Sequence, residues 1–417
     1  MKMKQNIAII GGGISGISLA KVIGSNAEVI VFEQKKKIGG LISCDVVNGY
    51  LYHKVGGHVF NSKNIKVLDW FWQFFDKENE FIEAKRVAKV FINNLLIGYP
   101  IEDNLHKLDK AVVTNVIADL LNINPHKEVN NFEQFLNTNF GKTLYELYFK
   151  PYNEKIWNVD LSLIPLEWLE GKLPMPNVKE ILVNNILRKE ETKMVHSFFY
   201  YPKQNGSQFI IDRLAQGSNI VKNFAVKTIN IQSDKTILIN AKEQFDKVIF
   251  TGDVRTLPGL LNNTLISKEL SAKIKNLKSN GTTNVLCSCD KNDLSWLYVP
   301  EKTYKAHRII YTGNFSDSNN GDNSRSSCVV EFSNFLSEQQ IKDEIKRLPG
   351  NLEYIAFNHE PNSYIIHDAD TRQLISDLKQ ELKEHNIYLL GRFAEWEYYN
   401  MDKAIEAAFV LSNQLIN

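Results

Sequence analysis

Cysteine is scarce in this chain, and its scarcity is the first constraint. Four thiols in 417 residues, at Cys44, Cys287, Cys289 and Cys328, make neither a C-x-x-C pair nor the dense array of a disulfide scaffold. A reducing compartment, the cytoplasm, is the expected location. Charge of one sign is missing too: 49 basic side chains face 48 acidic ones, for a formal charge of +1. No long-range field therefore recruits nucleic acid or an anionic membrane, and any anionic ligand must be gripped by local residues. No stretch approaches the roughly 20 apolar residues that span a bilayer. Basic residues near Met1 followed by the apolar, small-residue run Ile7 to Ile23 have the outline of a secretory signal. Lys21 interrupts that run, however, and its glycines have a better use, so neither export nor a membrane span is expected. No metal site is expected, and no internal repeat is visible.

At roughly 150 residues per domain the length accommodates two or three units, and 43% apolar residues can fill their cores. The chain opens as a buried strand (Asn6 to Ile10), a glycine turn, a helix from Ser15 to about Ile23 and a second strand from Glu28 to Glu33. That is a βαβ beginning with a parallel pair. From about Asn64 to Val195 the pattern is helical, with Trp70, Phe71, Trp72, Phe74 and Phe75 crowded together, and predicts a mainly helical insertion. Short β-rich runs follow between Val221 and Phe250, and D-K-V-I-F-T-G-D (Asp246 to Asp253) predicts a buried strand that returns the chain to the first unit. Runs at Arg308 to Tyr311, Cys328 to Phe332 and Tyr354 to Phe357 predict an antiparallel sheet, with polar Ser316 to Ser327 as a mobile hairpin loop. A last strand, Ile387 to Leu390, precedes Gly391 and a helix from about Met401 to Leu415 with Ile405, Ala408, Leu411 and Leu415 on one face. The expected class is α/β. Residues 1–75, 203–265 and 372–417 form a Rossmann-like dinucleotide-binding domain, 76–202 an inserted, mainly helical substrate and oligomerisation domain, and 266–371 an antiparallel β-sheet domain for substrate.

Gly11, Gly13 and Gly16 have G-x-G-x-x-G spacing directly after a strand, with Ile14 and Ser15 opening the helix. Backbone amides and the helix dipole can there meet a pyrophosphate with no Cβ in the way. Glu33, 22 positions after Gly11, ends the second strand where an acid accepts hydrogen bonds from ribose hydroxyls, and Gln34 adjoins it. A glycine-rich tight turn without ligand is the bland alternative; the order strand, turn, helix, strand, acid weighs against it. After Glu33 come Gly39, Gly40 and Leu41, an E-x5-G-G arrangement that resembles the FAD-binding start of amine-oxidase and glutathione-reductase flavoproteins. FAD rather than NAD is thus the expected dinucleotide. Asn400 is a good N-cap, so the helix from Met401 offers free amides and partial positive charge to a reduced flavin. A capped surface helix is the bland reading of that segment.

Five segments carry a wider likeness: G-G-H-V-F (Gly56 to Phe60), Y-N-E-K-I-W (Tyr152 to Trp157), H-R-I-I-Y-T-G-N-F (His307 to Phe315), Y-I-I-H-D-A-D (Tyr364 to Asp370) and the stretch Gly391 to Ala408. Together, in this order, they resemble the UDP-galactopyranose mutases. The resemblance implies an FAD-dependent isomerase, an intramolecular transferase that interconverts pyranose and furanose forms of a nucleotide sugar. In that family N5 of the reduced, non-covalently held flavin attacks the anomeric carbon, with NAD(P)H or another reductant supplying electrons. It implies that His58 and Arg308 are catalytic, His58 tuning the flavin and Arg308 meeting the diphosphate. Tyr364 and Tyr398 would donate to the diphosphate, and Tyr152 and Trp157 would flank the nucleotide. Gly57, His58, Val226, Gly252, Gly391 and Arg392 would join the cofactor contacts, with the charge of Arg392 stabilising an anionic flavin. Galactofuranose for a surface polysaccharide is the implied pathway, and a homodimer is left open.

Departures from the pattern are equally specific. Bacterial members carry an arginine pair in a segment resembling R-I-P-V-R, where this chain reads K-L-P-M-P; Lys172 replaces the first arginine as a substrate-binding cation, whereas Pro176 cannot replace the second. An aspartate of the family is Asn400 here, and a second histidine is Asn61. Phe198 to Ser207 is closer to amine-oxidase-like flavoproteins. The sugar and the base therefore stay open, and an FAD-dependent amine-oxidase-like oxidoreductase is the alternative activity. A flavin-binding protein without catalysis is the third reading, against which the joint presence of His58 and Arg308 argues.

Overall fold

The computed structural model describes residues 4–124, 128–166, 177–189, 197–262 and 265–416. Five parallel strands form its first sheet, in the order Ile387–Leu389, Lys247–Phe250, Asn6–Ile10, Glu28–Phe32, Asn219–Val221. Their apolar runs are buried because helices cover both faces, as a parallel sheet requires. On one face lie Ile14–Ile23, Gly206–Leu214 and Met401–Ile416, joined through Ile17, Leu19, Ile210, Ile211, Ile405 and Leu411. On the other, Thr371–Lys383 presents Ile375, Leu378 and Leu382 to Val248 and Phe250. The Rossmann-like class read from the sequence is correct.

The second sheet has seven strands: Glu353–Ile366, Lys278–Cys289, Ser326–Ser333, Ala306–Ile310, Trp296–Tyr298, Ala88–Ile92 and Leu95–Gly98. Neighbours are antiparallel except Trp296–Tyr298 with Ala88–Ile92, which are parallel. Behind it the helix Glu338–Ile345 packs Ile341 and Ile345 onto Val285, Val330 and Phe332. A helical unit built on Lys110–Leu121, Phe132–Leu144, Lys150–Trp157 and Val178–Leu187 closes one end of the sheet around Leu136, Phe140, Tyr148 and Phe149.

Three expectations need correction. The segment 76–202 is not helical at its start: Phe81–Lys85 pairs with Phe198–Pro202, while Ala88–Ile92 and Leu95–Gly98 extend the large sheet. The intervening Asn93 and Asn94, both at positive φ, make the hairpin turn that helical periodicity hides. The aromatic cluster does not serve the insertion either, because Phe71 and Phe75 are packed in the core of the Rossmann-like unit, with Phe71 stacked at 3.7 Å on Phe60. Finally, the polar connection Ser316 to Ser327 is anchored rather than free. Asn319 is fully buried and donates to the Tyr201 hydroxyl (2.9 Å) and the Thr312 carbonyl (2.8 Å), while Ser316 Oγ donates to the Lys203 carbonyl at 2.7 Å. Among the described residues no helix is long and apolar enough to cross a membrane.

Candidate active site

At the carboxyl ends of the parallel strands, where an α/β sheet presents its ligands, the glycine turn is shaped by close approach. Gly11 has φ +118°, and a Cβ there would meet Thr251 Oγ1 at 2.2 Å; one on Gly16 would meet the Gly11 carbonyl oxygen at 2.2 Å. The helix starting at Ile14 has no side-chain cap at Gly13, so its first amides are free for an acceptor. Glu33 is buried; Oε2 accepts from Gly12 N (2.9 Å) and Oε1 from Lys35 N (2.8 Å). A carboxylate has about four acceptor sites, so it can still receive a pair of hydroxyls. These features fit a dinucleotide: a cradle that a Cβ would fill, uncapped amides, and an acid fixed at the strand end.

One cavity of about 600 Å³ runs from this cradle to the large sheet. Gly11, Gly13, Ile14, Ser15, Glu33, Gln34, Gly40, Leu41, Gly57, His58, Arg308, Tyr364, Arg392, Tyr398, Asn400 and Met401 all line it, so most of the residues read from the sequence share one space. Asn400 occupies the N-cap position of Met401–Ile416, its carbonyl accepting from Ala404 N at 3.0 Å, which turns the start of that helix to the cavity.

Other expected residues lie behind the lining. Gly16 packs against the Gly11 carbonyl, and Gly391 supports Ser15, whose Oγ a Cβ would meet at 2.5 Å. Gly252 abuts the Phe250 ring and Val226 packs into the core on the far face, so neither is a lining residue. Trp157 packs edge-to-face with Tyr364 (ring centroids 5.5 Å apart) and Tyr398 (6.2 Å), and Tyr152 does so with Tyr298 (5.3 Å), so both shape the wall without lining it. Asn61 donates to the Phe198 carbonyl at 2.6 Å, away from the cavity. Lys172 and Pro176 fall outside the described residues.

Strand register explains how the sheet contributes. Residues directly across a ladder point to the same face, and here Asn358, Asn284, Glu331, Arg308 and Tyr298 are successive partners across five strands. The result is a polar row that crosses five strands of the sheet. A bulge at His307, between the pairs Ala306/Phe332 and Arg308/Glu331, sets two residues against Glu331. Arg308 Nε donates to Glu331, another guanidinium nitrogen donates to the Tyr364 hydroxyl (3.0 Å), and that hydroxyl donates to Glu331 at 3.2 Å. Burial alone would raise the Glu331 carboxyl, but Arg308 and His307 hold it well below the usual carboxylate range. Asn284, fully buried, accepts from Gly56 N at 2.7 Å and so pins the loop that carries His58.

His58 sits between the two halves. Burial first, then the nearby Arg392 and Arg308, push its pKa down to about 4, so it is a neutral imidazole at pH 7. The Val55 carbonyl takes one ring N–H, and Nε2 is buried with no partner. An orphaned acceptor in a ligand cavity is a vacancy for a donor on cofactor or substrate. Arg392 donates to the Tyr399 carbonyl (2.6 and 3.0 Å) and the Ser363 carbonyl (3.0 Å), with its guanidinium carbon 4.4 Å from the Tyr398 ring centroid.

Sequence reasoning missed Glu331, Asn284 and Arg86. A lone acid in the apolar strand S-S-C-V-V-E-F-S, or an Asn within T-T-N-V-L-C, is a signal that could have found the first two, since buried polar groups are retained with a partner. Arg86 carries no such signal. A separate surface groove of about 430 Å³ beside Ile387–Leu389 has none of these features.

A Rossmann-like cradle is thus joined by one cavity to a sheet-borne cluster of arginine, carboxylate and tyrosines. Residues 9–77 match the family model of the NAD(P)-binding Rossmann-like domain. A UDP-galactopyranose mutase of Mycoplasma genitalium is 23% identical over 99% of this chain and 95% of its own. A dTDP-fucopyranose mutase of Escherichia coli is 24% identical over 60% of this chain and 63% of its own. In fold, the chain matches a crystal structure of reduced UDP-galactopyranose mutase with TM-score 0.87 at 21% identity, covering 99% and 96% of the two chains. A putative protoporphyrinogen oxidase from Exiguobacterium follows at TM-score 0.74 and 13% identity, over 99% of both. Along nearly its whole length the chain is thus similar in sequence and in fold to UDP-galactopyranose mutases.

Proposed function

We propose that this protein interconverts the pyranose and furanose forms of a nucleotide-linked sugar, with UDP-galactose the first candidate and a dTDP-linked deoxy sugar the second. The observation that carries the proposal is a single cavity joining the glycine cradle and Glu33 to Arg308, Glu331 and Tyr364. When bound and reduced, a flavin supplies the nucleophilic nitrogen for exchange at the anomeric carbon. The chain does the rest. Gly11, Gly13 and the amides of Ile14 and Ser15 hold a pyrophosphate, and Glu33 holds a ribose. Arg308 and Tyr364 orient the substrate diphosphate, while Trp157, Tyr364 and Tyr398 exclude water from the sugar. His58, neutral and open at Nε2, accepts a proton or hydrogen bond at that atom, and Arg392 balances negative charge beside it. Binding of the flavin is non-covalent in this reading, with a nicotinamide nucleotide or another donor as reductant.

An oxidase of the amine-oxidase type needs an apolar tunnel, whereas this cavity is walled by Arg86, Arg308, Arg392 and Glu331. The test is incubation of flavin-loaded protein, oxidised or dithionite-reduced, with UDP-galactopyranose and a panel of dTDP-sugars, followed by chromatography. Furanose product only after reduction is expected; substrate-dependent oxygen consumption without isomerisation would overturn the proposal in favour of the oxidase.

A further inference from the structure

Arginines facing this cavity differ in one respect that decides how an anion is held. Arg308 is already matched: Glu331 takes Nε, and the pair is neutral. Arg86 is not matched. Its main-chain N–H is tied to the Ser197 carbonyl at 2.8 Å, and Val87 N to Ser295 Oγ at 3.2 Å, which fixes the stalk between two walls of the cleft. The guanidinium then lies in an aromatic box, 4.9 Å from the Tyr99 ring, 5.2 Å from Trp296 and 5.7 Å from Tyr298. One terminal nitrogen donates to the Tyr298 hydroxyl, Nε is buried with no partner, and among the described residues no carboxylate pairs with it.

A buried cation without a counter-ion is costly. Aromatic faces offset part of that cost and leave the full positive charge to act on whatever enters. Position adds to this. Tyr298, to which Arg86 donates, is the direct cross-strand partner of Arg308. The two guanidiniums thus flank one tyrosine on one face of the sheet, and both line the cavity. Planar guanidinium forks on one cavity wall suit the non-bridging oxygens of a phosphate ester.

We propose that Arg86 is the principal charge-bearing contact for the diphosphate of the substrate, and that it supplies the positive charge the chain lacks at Pro176. The assignment rests on the nucleotide-sugar reading above. Arg308 then orients the group through hydrogen bonds while its charge is spent on Glu331.

The experiment is titration of the flavin-loaded protein with UDP, dTDP and uridine, for wild type, Arg86→Gln and Arg86→Lys, at two salt concentrations. Arg86→Gln should bind UDP or dTDP at least about tenfold more weakly, as expected for a lost charge-assisted contact, with a shallower salt dependence and unchanged affinity for neutral uridine. Arg86→Lys, which keeps the charge in the box but loses the fork, should fall between the two, and carries the test should the glutamine variant fail to hold flavin. Diphosphate affinity within about twofold of wild type in both variants overturns the assignment and leaves the mutase reading standing. Wild-type protein that binds neither UDP nor dTDP removes both.

Discussion

Replacing Glu331 by glutamine should move stability and anion affinity in opposite directions. The carboxylate is 1% exposed and is surrounded by Arg308 Nε, the Tyr364 hydroxyl and His307 Nε2 at 3.5 Å. Removing one partner of a buried pair costs about 3 to 5 kcal/mol, and glutamine keeps an oxygen that accepts from Arg308, so the lower end, about 3 kcal/mol, is expected. The pH dependence follows from the sign of the shift. A carboxyl held below its ordinary value in the folded state contributes its full stabilisation above the unfolded value of about 4.3 and loses it as pH falls below that. The gap between wild type and variant should therefore be largest at neutral pH and shrink below about pH 4. Affinity for a nucleoside diphosphate should rise, because Arg308 is then an uncompensated cation; a gain of about 1 kcal/mol is about fivefold. Urea unfolding across pH, with UDP titration at pH 7, measures both. A variant as stable as wild type at pH 7, or one whose deficit persists undiminished in acid, refutes the assignment of Glu331 as the ionised counter-ion of Arg308.

Three further outcomes are expected. His58 titrates near 4 rather than near its ordinary value, so a rate that needs neutral imidazole should be flat from about pH 8 to pH 5 and fall only towards its folded pKa; an inflection near pH 6.5 contradicts this, and His58→Ala should cost about 10²- to 10⁴-fold in kcat if Nε2 handles a proton. Gly16→Val places a Cβ 2.2 Å from the Gly11 oxygen and 3.0 Å from Ile9, so the helix must lift and visible flavin absorbance should be lost from the purified protein. Asn284→Ala leaves Gly56 N without its acceptor, a loss of about 1 to 3 kcal/mol, and should lower kcat more than it raises KM, because it releases the loop of His58 rather than a substrate contact.

The dinucleotide-binding half was legible because its signal is local. Gly11, Gly13, Gly16 and Glu33 fall within one βαβ unit, and steric limits on backbone approach are written directly as glycines. The sheet half was legible only as segments. That Glu331, Arg308 and Tyr298 form one row depends on the register of strands far apart in the chain, which no periodicity reports. Asn93 and Asn94 concealed a hairpin within a helical-looking stretch. Arg86 was invisible for a different reason: an arginine after a strand reads as a solvated charge until Tyr99, Trp296 and Tyr298, drawn from two other segments, are seen to enclose it. Val226 and Gly252 show the opposite case, since residues close to the turn in sequence need not line the cavity.

The most direct measurement is a difference spectrum of the purified, flavin-loaded protein on addition of UDP. A flavin bound beside a diphosphate clamp should give a saturable perturbation of its visible bands that is weakened by Arg308→Gln and not reproduced by uridine. Protein that takes up no FAD, or holds it with a spectrum indifferent to UDP and dTDP alike, would contradict the central claim that one cavity serves both ligands.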